Sequence, residues 1–234
     1  MKSVNGKPSS VTPRNKKDQI QISGPQPLTA DFKLYPITDR NVFSAQCSMY
    51  LAIESILEAG VNTIQLREKD LPVRELFDMA VWMRELTREY GAKLIINDRV
   101  DVALSVEADG VHLGRNGIPS DAVRKISGDK LLLGVSAHNL EEAVLAERDG
   151  ADFITVGPIY ETPSKLKYGE PIGIDALRKV KSRISIPVFA IGGIKLDKVN
   201  EVREAGADGI AVISAILKAE NIKKTTEEFL RLLK

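Results

Sequence analysis

The chain has one cysteine, Cys47, in 234 residues. A single thiol excludes an internal disulfide and any multi-cysteine metal site, and packing as a small hydrophobe is its plainest use. A reducing, cytoplasmic setting is the corresponding expectation. Aromatic residues are scarce at 5%, and the two histidines lack the cysteine partners of a zinc cluster. No apolar run approaches the roughly 18 residues of a membrane span. Neither sign of charge dominates, with 33 Lys and Arg against 32 Asp and Glu. The balance gives no electrostatic ground for nucleic acid or an anionic membrane as a partner.

With 43% hydrophobic and 28% charged residues, the chain fits one globular domain with a real core. Its first 30 residues differ. They hold five cations (Lys2, Lys7, Arg14, Lys16, Lys17) and one anion (Asp18), are rich in Ser, Pro and Gly, and show no amphipathic period. This segment reads as a basic, disordered tail without the apolar stretch of a secretory signal, leaving residues 31–234 as the folded unit.

From residue 31 onward, strand-like runs alternate with helical patterns. The runs are FKLYPIT (32–38), TIQL (63–66), KLII (93–96), GVHL (110–113), LLLGVS (131–136), FITVG (153–157), PVFAIGG (187–193) and GIAVIS (209–214). Helical spacing appears over 73–90, 139–150 and 198–209. A related junction precedes several runs: EAGVNTI (58–64), EADGVHL (107–113), DGADFIT (149–155) and EAGADGI (204–210). Glycine can end a helix in the left-handed conformation, and the small residue after it allows a tight return into the next strand. Repeated strand–helix units with right-handed crossovers predict parallel strands, and eight of them close most economically into a (βα)8 barrel. An open doubly wound sheet is disfavoured, because no GxGxxG follows an early strand.

In such a barrel the active groups lie at the carboxyl ends of the strands. The candidates are Thr38, Asp39 and Arg40, then Gln65, Arg67 and Lys69, then Asn97 and Asp98, then His112, then Ser136 and His138, then Thr162, Ser164 and Lys165, and finally Gly192, Gly193, Ile213 and Ser214. Cations and hydroxyls at one rim suit a phosphorylated substrate and a divalent cation. In AIGGI (190–194) and AVISAI (211–216), paired glycines would let a ligand approach the backbone and the amides around Ser214 would donate to an anion, against the simpler reading of a tight turn and a helix cap. In GPIYETPSK (157–165), Thr162, Ser164 and Lys165 suit a diphosphate, or form an ordinary polar loop. Gly157 and Gly169 would permit that loop to move. Asp98 either caps the next helix or supplies the carboxylate that Mg²⁺ needs beside substrate oxygens. His112 reads as an interior residue hydrogen-bonded within the barrel, whereas His138, just past its strand, could move a proton or donate to a phosphate.

The motifs LYPITDR, IQLREKD, IINDRVDVAL, ADGVHLG, GVSAHNLEEA, GADFITVGPIYETPSK, IPVFAIGGI and GADGIAVISAI, in this order from about Phe32 onward, resemble the thiamine phosphate synthase family. The resemblance implies a (βα)8 transferase that joins 4-amino-5-hydroxymethyl-2-methylpyrimidine diphosphate to a thiazole phosphate, releasing pyrophosphate by a dissociative path with Mg²⁺ as cofactor. It further implies that Gln65, Arg67, Lys69 and Asn97 bind the pyrimidine diphosphate and that Asp98 holds the metal. Ser136 and Lys165 would meet the leaving pyrophosphate, and Thr162, Ser164, Gly193, Ile213 and Ser214 the thiazole phosphate. Lys165, Ser136, Arg67 and His138 would act at the reacting atoms, with Glu68 and Asp70 as solvated or structural partners of Arg67 and Lys69.

One stretch departs from the pattern. After HLG the family continues with Gln and two acids, the second a metal ligand, but here Arg115, Asn116 and Gly117 follow. The departure keeps two alternatives open. One is a thiazole tautomerase, which shares the barrel and would use His138. The other is a sensor that binds a phosphorylated ring without converting it. The sequence is compatible with a homo-oligomer and does not specify one.

Overall fold

The structure is a computed structural model, and it describes residues 29–42, 48–162 and 170–234. Cys47 and nearly all of the segment expected to be a tail lie outside the described residues. Among those residues are the strands β1 (Leu34–Pro36), β2 (Thr63–Leu66), β3 (Lys93–Asn97), β4 (Gly110–Leu113), β5 (Leu132–Ala137), β6 (Phe153–Val156), β7 (Val188–Ile191) and β8 (Gly209–Val212). Between and after them come the helices α1 (Met49–Glu58), α2 (Val73–Glu89), α3 (Val100–Ser105), α4 (Ser120–Ser127), α5 (Leu140–Arg148), α6 (Gly173–Lys181), α7 (Val199–Glu204), α8 (Ser214–Leu217) and α9 (Ile222–Leu232). None of these helices is long and apolar enough to cross a membrane.

Every ladder is parallel, in the order β1-β8-β7-β6-β5-β4-β3-β2. The remaining seam, between β1 and β2, is joined by one bridge, Ile37 to Gln65, and by the Thr38 amide donating to the Gln65 carbonyl at 2.9 Å. The expected (βα)8 barrel therefore forms, with one seam thinner than the others.

Strand parity divides the core in two. Leu34, Ile154 and Val156 face outward into the layer shared with the helices, while Phe32, Tyr35, Ile95, Leu132, Phe153 and Phe189 fill the barrel's interior. Four of the twelve aromatics, Phe32, Tyr35, Phe153 and Phe189, lie in this interior. Phe32 stacks on Phe189 at 4.6 Å between ring centroids, and Phe153 meets Phe32 edge-on at 5.4 Å. Such contacts contribute about 1 kcal/mol each beyond area burial. Gly134 makes the plug possible, because a Cβ there would sit 2.3 Å from Phe153 Cζ and 2.5 Å from His112 Nδ1.

The repeated junction resolves into one device. Gly60, Gly150 and Gly206 adopt positive φ at 96°, 91° and 95°, ending α1, α5 and α7 as expected, and Glu107 takes the same role after α3 at 52°. Two residues after Glu107, Gly150 and Gly206 stand Asp109, Asp152 and Asp208, whereas Asn62 follows Gly60. Each carboxylate accepts an amide at the start of the neighbouring strand, from Leu94 and Leu133 as second residues and Val188 as the first, at 2.7, 2.7 and 2.8 Å. Each also pairs with a cation from a helix: Arg84 of α2, Arg124 of α4 and Lys181 of α6. The pairs differ in burial, with the Arg84 side chain 10% exposed and that of Lys181 28% exposed.

Removing one partner of a buried pair leaves an uncompensated charge, which costs more than losing an exposed pair. Asp109→Ala is therefore expected to lower unfolding free energy by about 3 kcal/mol, and Asp208→Ala by about 1–2 kcal/mol, in urea titrations. Equal losses would contradict the assignment of the larger cost to the stranded Arg84.

Candidate active site

Chain polarity carries the carboxyl ends of all eight strands to one rim. On β2, Gln65 points into the barrel, 1% exposed, and donates from Nε2 to the Tyr35 hydroxyl at 2.8 Å. Arg67 follows, half-buried, and Lys69 is exposed. Neither side chain has a hydrogen bond or ion pair among the described residues. Both line a cavity of about 300 Å³ shared with Asp39, Asn41, Glu68 and Asp70.

The two carboxylates of this stretch do not pair with Arg67 and Lys69 as expected. Glu68 is 4% exposed and accepts the Arg40 amide at Oε2, 3.0 Å, while Oε1 is buried without a hydrogen-bond partner among the described residues. Burial pushes its carboxyl above the usual range, against the pull of the Arg40 amide and the nearby Thr38 hydroxyl. Asp70 receives both Nη atoms of Arg40, at 2.7 and 3.0 Å. The competing partner is Arg40, whose guanidinium fits a carboxylate with two parallel bonds.

Asp98 leaves β3 with φ 57°, a left-handed conformation that costs a non-glycine residue roughly 1 kcal/mol. Three bonds hold it there. Its amide donates to the His112 carbonyl at 2.9 Å, Oδ1 accepts from the Gly114 amide at 2.7 Å, and Oδ2 accepts from Asn97 Nδ2 at 2.8 Å. The helix-cap reading fails, since Arg99 occupies the cap position of α3. Gly117 lies against this carboxylate, where a Cβ would be 2.9 Å from Oδ1.

Deeper in the barrel, His112 is 3% exposed, as its interior reading required, with Nε2 at 3.0 Å from Ser136 Oγ and 3.3 Å from Thr155 Oγ1. Burial drives its pKa down to about 4, so the ring is neutral at pH 7. His138 lies nearer the surface, where Glu142 Oε2 accepts its amide at 2.8 Å and sits 2.9 Å from Nδ1. Arg115 approaches the other oxygen of Glu142 at 3.7 Å.

On the far side, Gly192 and Gly193 have φ 99° and 67°. Their missing side chains admit the β6–α6 loop: a Cβ at Gly192 would be 2.6 Å from Pro158 Cα, and one at Gly193 would be 2.7 Å from the Glu161 carbonyl oxygen. Loop packing therefore accounts for these glycines before any ligand does. Gly157 is likewise a contact point rather than a hinge, since a Cβ there would be 2.1 Å from the Ile191 carbonyl oxygen. Ile213 precedes α8, and Ser214 opens it, exposed. The first amides of a helix have no carbonyl partner within it. Thr162 is partly exposed on the loop after β6, while Ser164, Lys165 and Gly169 lie outside the described residues.

Sequence reasoning missed Thr155 and Glu142. Thr155 is a polar residue at an inward position of an apolar strand. Glu142 stands three residues after the helix cap Asn139, which accepts its amide at 2.8 Å, a spacing that marks a reciprocal cap.

A family model described as thiamine monophosphate synthase matches residues 34–216. The chain belongs to that family. A putative thiamine-phosphate synthase of Geobacter sulfurreducens is 49% identical over 87% of this chain and 95% of its own length. A thiamine-phosphate synthase of Chloroflexus aurantiacus is 47% identical over 82% of this chain and 88% of its own. Among solved structures, a thiamine phosphate pyrophosphorylase from Pyrococcus furiosus superposes with a TM-score of 0.79 at 42% identity, covering 86% of this chain and 95% of that one. Gly117, in the stretch where the sequence departs from the expected pattern, faces Asp98.

The neutral, buried His112 makes stability depend on pH. Its pKa is lower in the folded state than the ordinary 6.5, so the unfolded chain takes up more protons and the contribution present above pH 6.5 is lost as pH falls toward 4. The loss amounts to on the order of 3 kcal/mol. Unfolding titrations at pH 7 and pH 4.5 are expected to show a smaller acid-induced loss in His112→Gln than in the parent, and equal losses would refute the buried, neutral imidazole.

Proposed function

We propose that the chain condenses the pyrimidine diphosphate with the thiazole phosphate, giving thiamine phosphate and pyrophosphate. Besides family membership, one observation carries this reading: Arg67 and Lys69 line a rim cavity with no carboxylate spent on them among the described residues. Departure of pyrophosphate breaks the methylene carbon–oxygen bond and takes its electron pair, and the electron-rich aminopyrimidine stabilises the positive methylene. The thiazole nitrogen then supplies the pair for the new carbon–nitrogen bond. Little proton transfer is needed. The residues' tasks are to receive charge on the leaving group and to hold the rings in line.

On this reading Arg67 and Lys69 take the diphosphate, and Lys165 and Ser136 the departing pyrophosphate. Gln65 and Asn97 contact the pyrimidine. Thr162, Ser164, Gly193, Ile213 and Ser214 form the thiazole phosphate end, and His138 donates to a phosphate oxygen. Lys165→Ala is expected to cut turnover on the order of 10²-fold while leaving the melting temperature within about 2 °C. An unchanged rate would count against the site.

Mg²⁺ fits the residues present as a partly hydrated ion. Asp98 offers one carboxylate whose oxygens each accept a single hydrogen bond and retain further lone pairs. No group of three or more His, Cys, Asp or Glu that could hold a metal occurs among the described residues, and Gly117 adds no side chain. Magnesium commonly takes one or two carboxylates and completes its shell with water and phosphate oxygens. When bound, it neutralises charge on the diphosphate. Calorimetry is expected to show Mg²⁺ binding to the protein with inorganic pyrophosphate at least tenfold more tightly than to the protein alone, with Asp98→Asn reducing the difference. Equal affinity in both conditions would refute this substrate-dependent metal site.

His138 backed by the Glu142 carboxylate favours a second reading, the tautomerase, because such a pair can move a proton on a thiazole carboxylate phosphate. Supplying both phosphorylated rings with and without Mg²⁺ separates the readings. Condensation supports the synthase, isomerisation of the thiazole alone supports the tautomerase, and binding without conversion supports a sensor.

A further inference from the structure

The β1–β2 seam has less backbone pairing than any other, and polar side chains reinforce it at the rim. The Thr38 hydroxyl accepts the Arg67 amide at 2.9 Å, the Arg40 amide donates to Glu68, and the Arg40 guanidinium grips Asp70. Arg40 Nη1 also approaches Glu68 Oε2 at 3.7 Å. These contacts fix residues 67–70 on both sides of Lys69. They also occupy the two carboxylates adjacent in sequence to Arg67 and Lys69.

We infer that Arg40 is a positioning residue for the diphosphate end of the site: by holding Glu68 and Asp70 it sets the segment that presents Arg67 and Lys69, and it keeps those two carboxylates off both cations. The inference rests on the diphosphate reading above. The Arg40–Asp70 pair is open to solvent on the Asp70 side, where screening by water weakens its contribution to folding. Its consequence is geometric and electrostatic. Without Arg40, Asp70 at 55% side-chain exposure is freer to approach Lys69, and among the described residues the segment keeps only the Thr38 hydroxyl and Asn41 as side-chain partners from this side of the seam.

Asp70→Asn and Arg40→Gln are the informative variants, because both positions are partly exposed and neither carries substrate. Calorimetry with inorganic pyrophosphate is expected to show about fivefold weaker binding in Arg40→Gln, with KM for the pyrimidine diphosphate raised to match and KM for the thiazole phosphate unchanged. Asp70→Asn, which removes the latch together with a competing anion, is expected to lose less. The double variant should bind no more weakly than Arg40→Gln alone, and Arg40→Lys should recover part of the loss. Unchanged pyrophosphate affinity in Arg40→Gln, or equal changes in both KM values, overturns the positioning role whatever happens to the melting temperature. Lys69→Ala distinguishes the two levels: if it binds pyrophosphate normally, the diphosphate reading falls and takes the latch with it, whereas a loss in Lys69→Ala with none in Arg40→Gln removes the latch alone.

Discussion

Asp109, Asp152 and Asp208 set the height of the barrel's strands. Each stands just before an even-numbered strand, accepts an amide from the first or second residue of the preceding odd strand and pairs with a helix cation. A slip of one residue would turn every side chain of a strand to the other face. The clamp at the floor therefore determines which residues surface at the rim. Asn97 stands opposite His112, and Ser136 opposite Thr155, because Leu94 and Leu133 are pinned below them.

The β1–β2 seam lacks such a clamp. The junction before its even strand, β2, has Asn62 where the other three have aspartate. Closure is displaced upward, to Ile37, Thr38 and Arg40. The weakest joint of the barrel thus coincides with the cations of the rim, and the same polar contacts serve both. This arrangement explains why IQLREKD ends an apolar strand in four alternating charges: Glu68 and Asp70 face Arg40, leaving Arg67 and Lys69 to the cavity.

Much of this was legible in the sequence because it is local. Strand runs bounded by glycine, alternating parity and a recurring junction gave the barrel, and the position after each strand gave the rim. What was not legible depends on which side chain wins a contact across strands. Nothing within residues 64–70 says that Arg40, some 30 positions away, outcompetes Lys69 for Asp70. Asp98 looks like a helix cap until its left-handed φ turns the carboxylate toward Gly114. Gly192 and Gly193 look like ligand-facing glycines until the β6–α6 loop occupies the space beside them. Thr155 was concealed by its apolar neighbours, though its inward parity was available.

The interior is graded along the barrel axis, and the gradient matches the chemistry. Aromatic rings plug the floor, a layer of His112, Ser136 and Thr155 lies above them, and charged groups occur at the rim. A water-poor floor raises the strength of every charge interaction nearby, which favours fixed cations as receptors for a leaving diphosphate. A charged His112 in the middle layer would disturb that field, and burial keeps it neutral. Orientation of the Ser136 hydroxyl by a neutral imidazole adds direction without adding charge. The barrel thus separates its polar groups by depth, with dipoles below and full charges above, an arrangement that suits the proposed reaction, in which charge departs and few protons move.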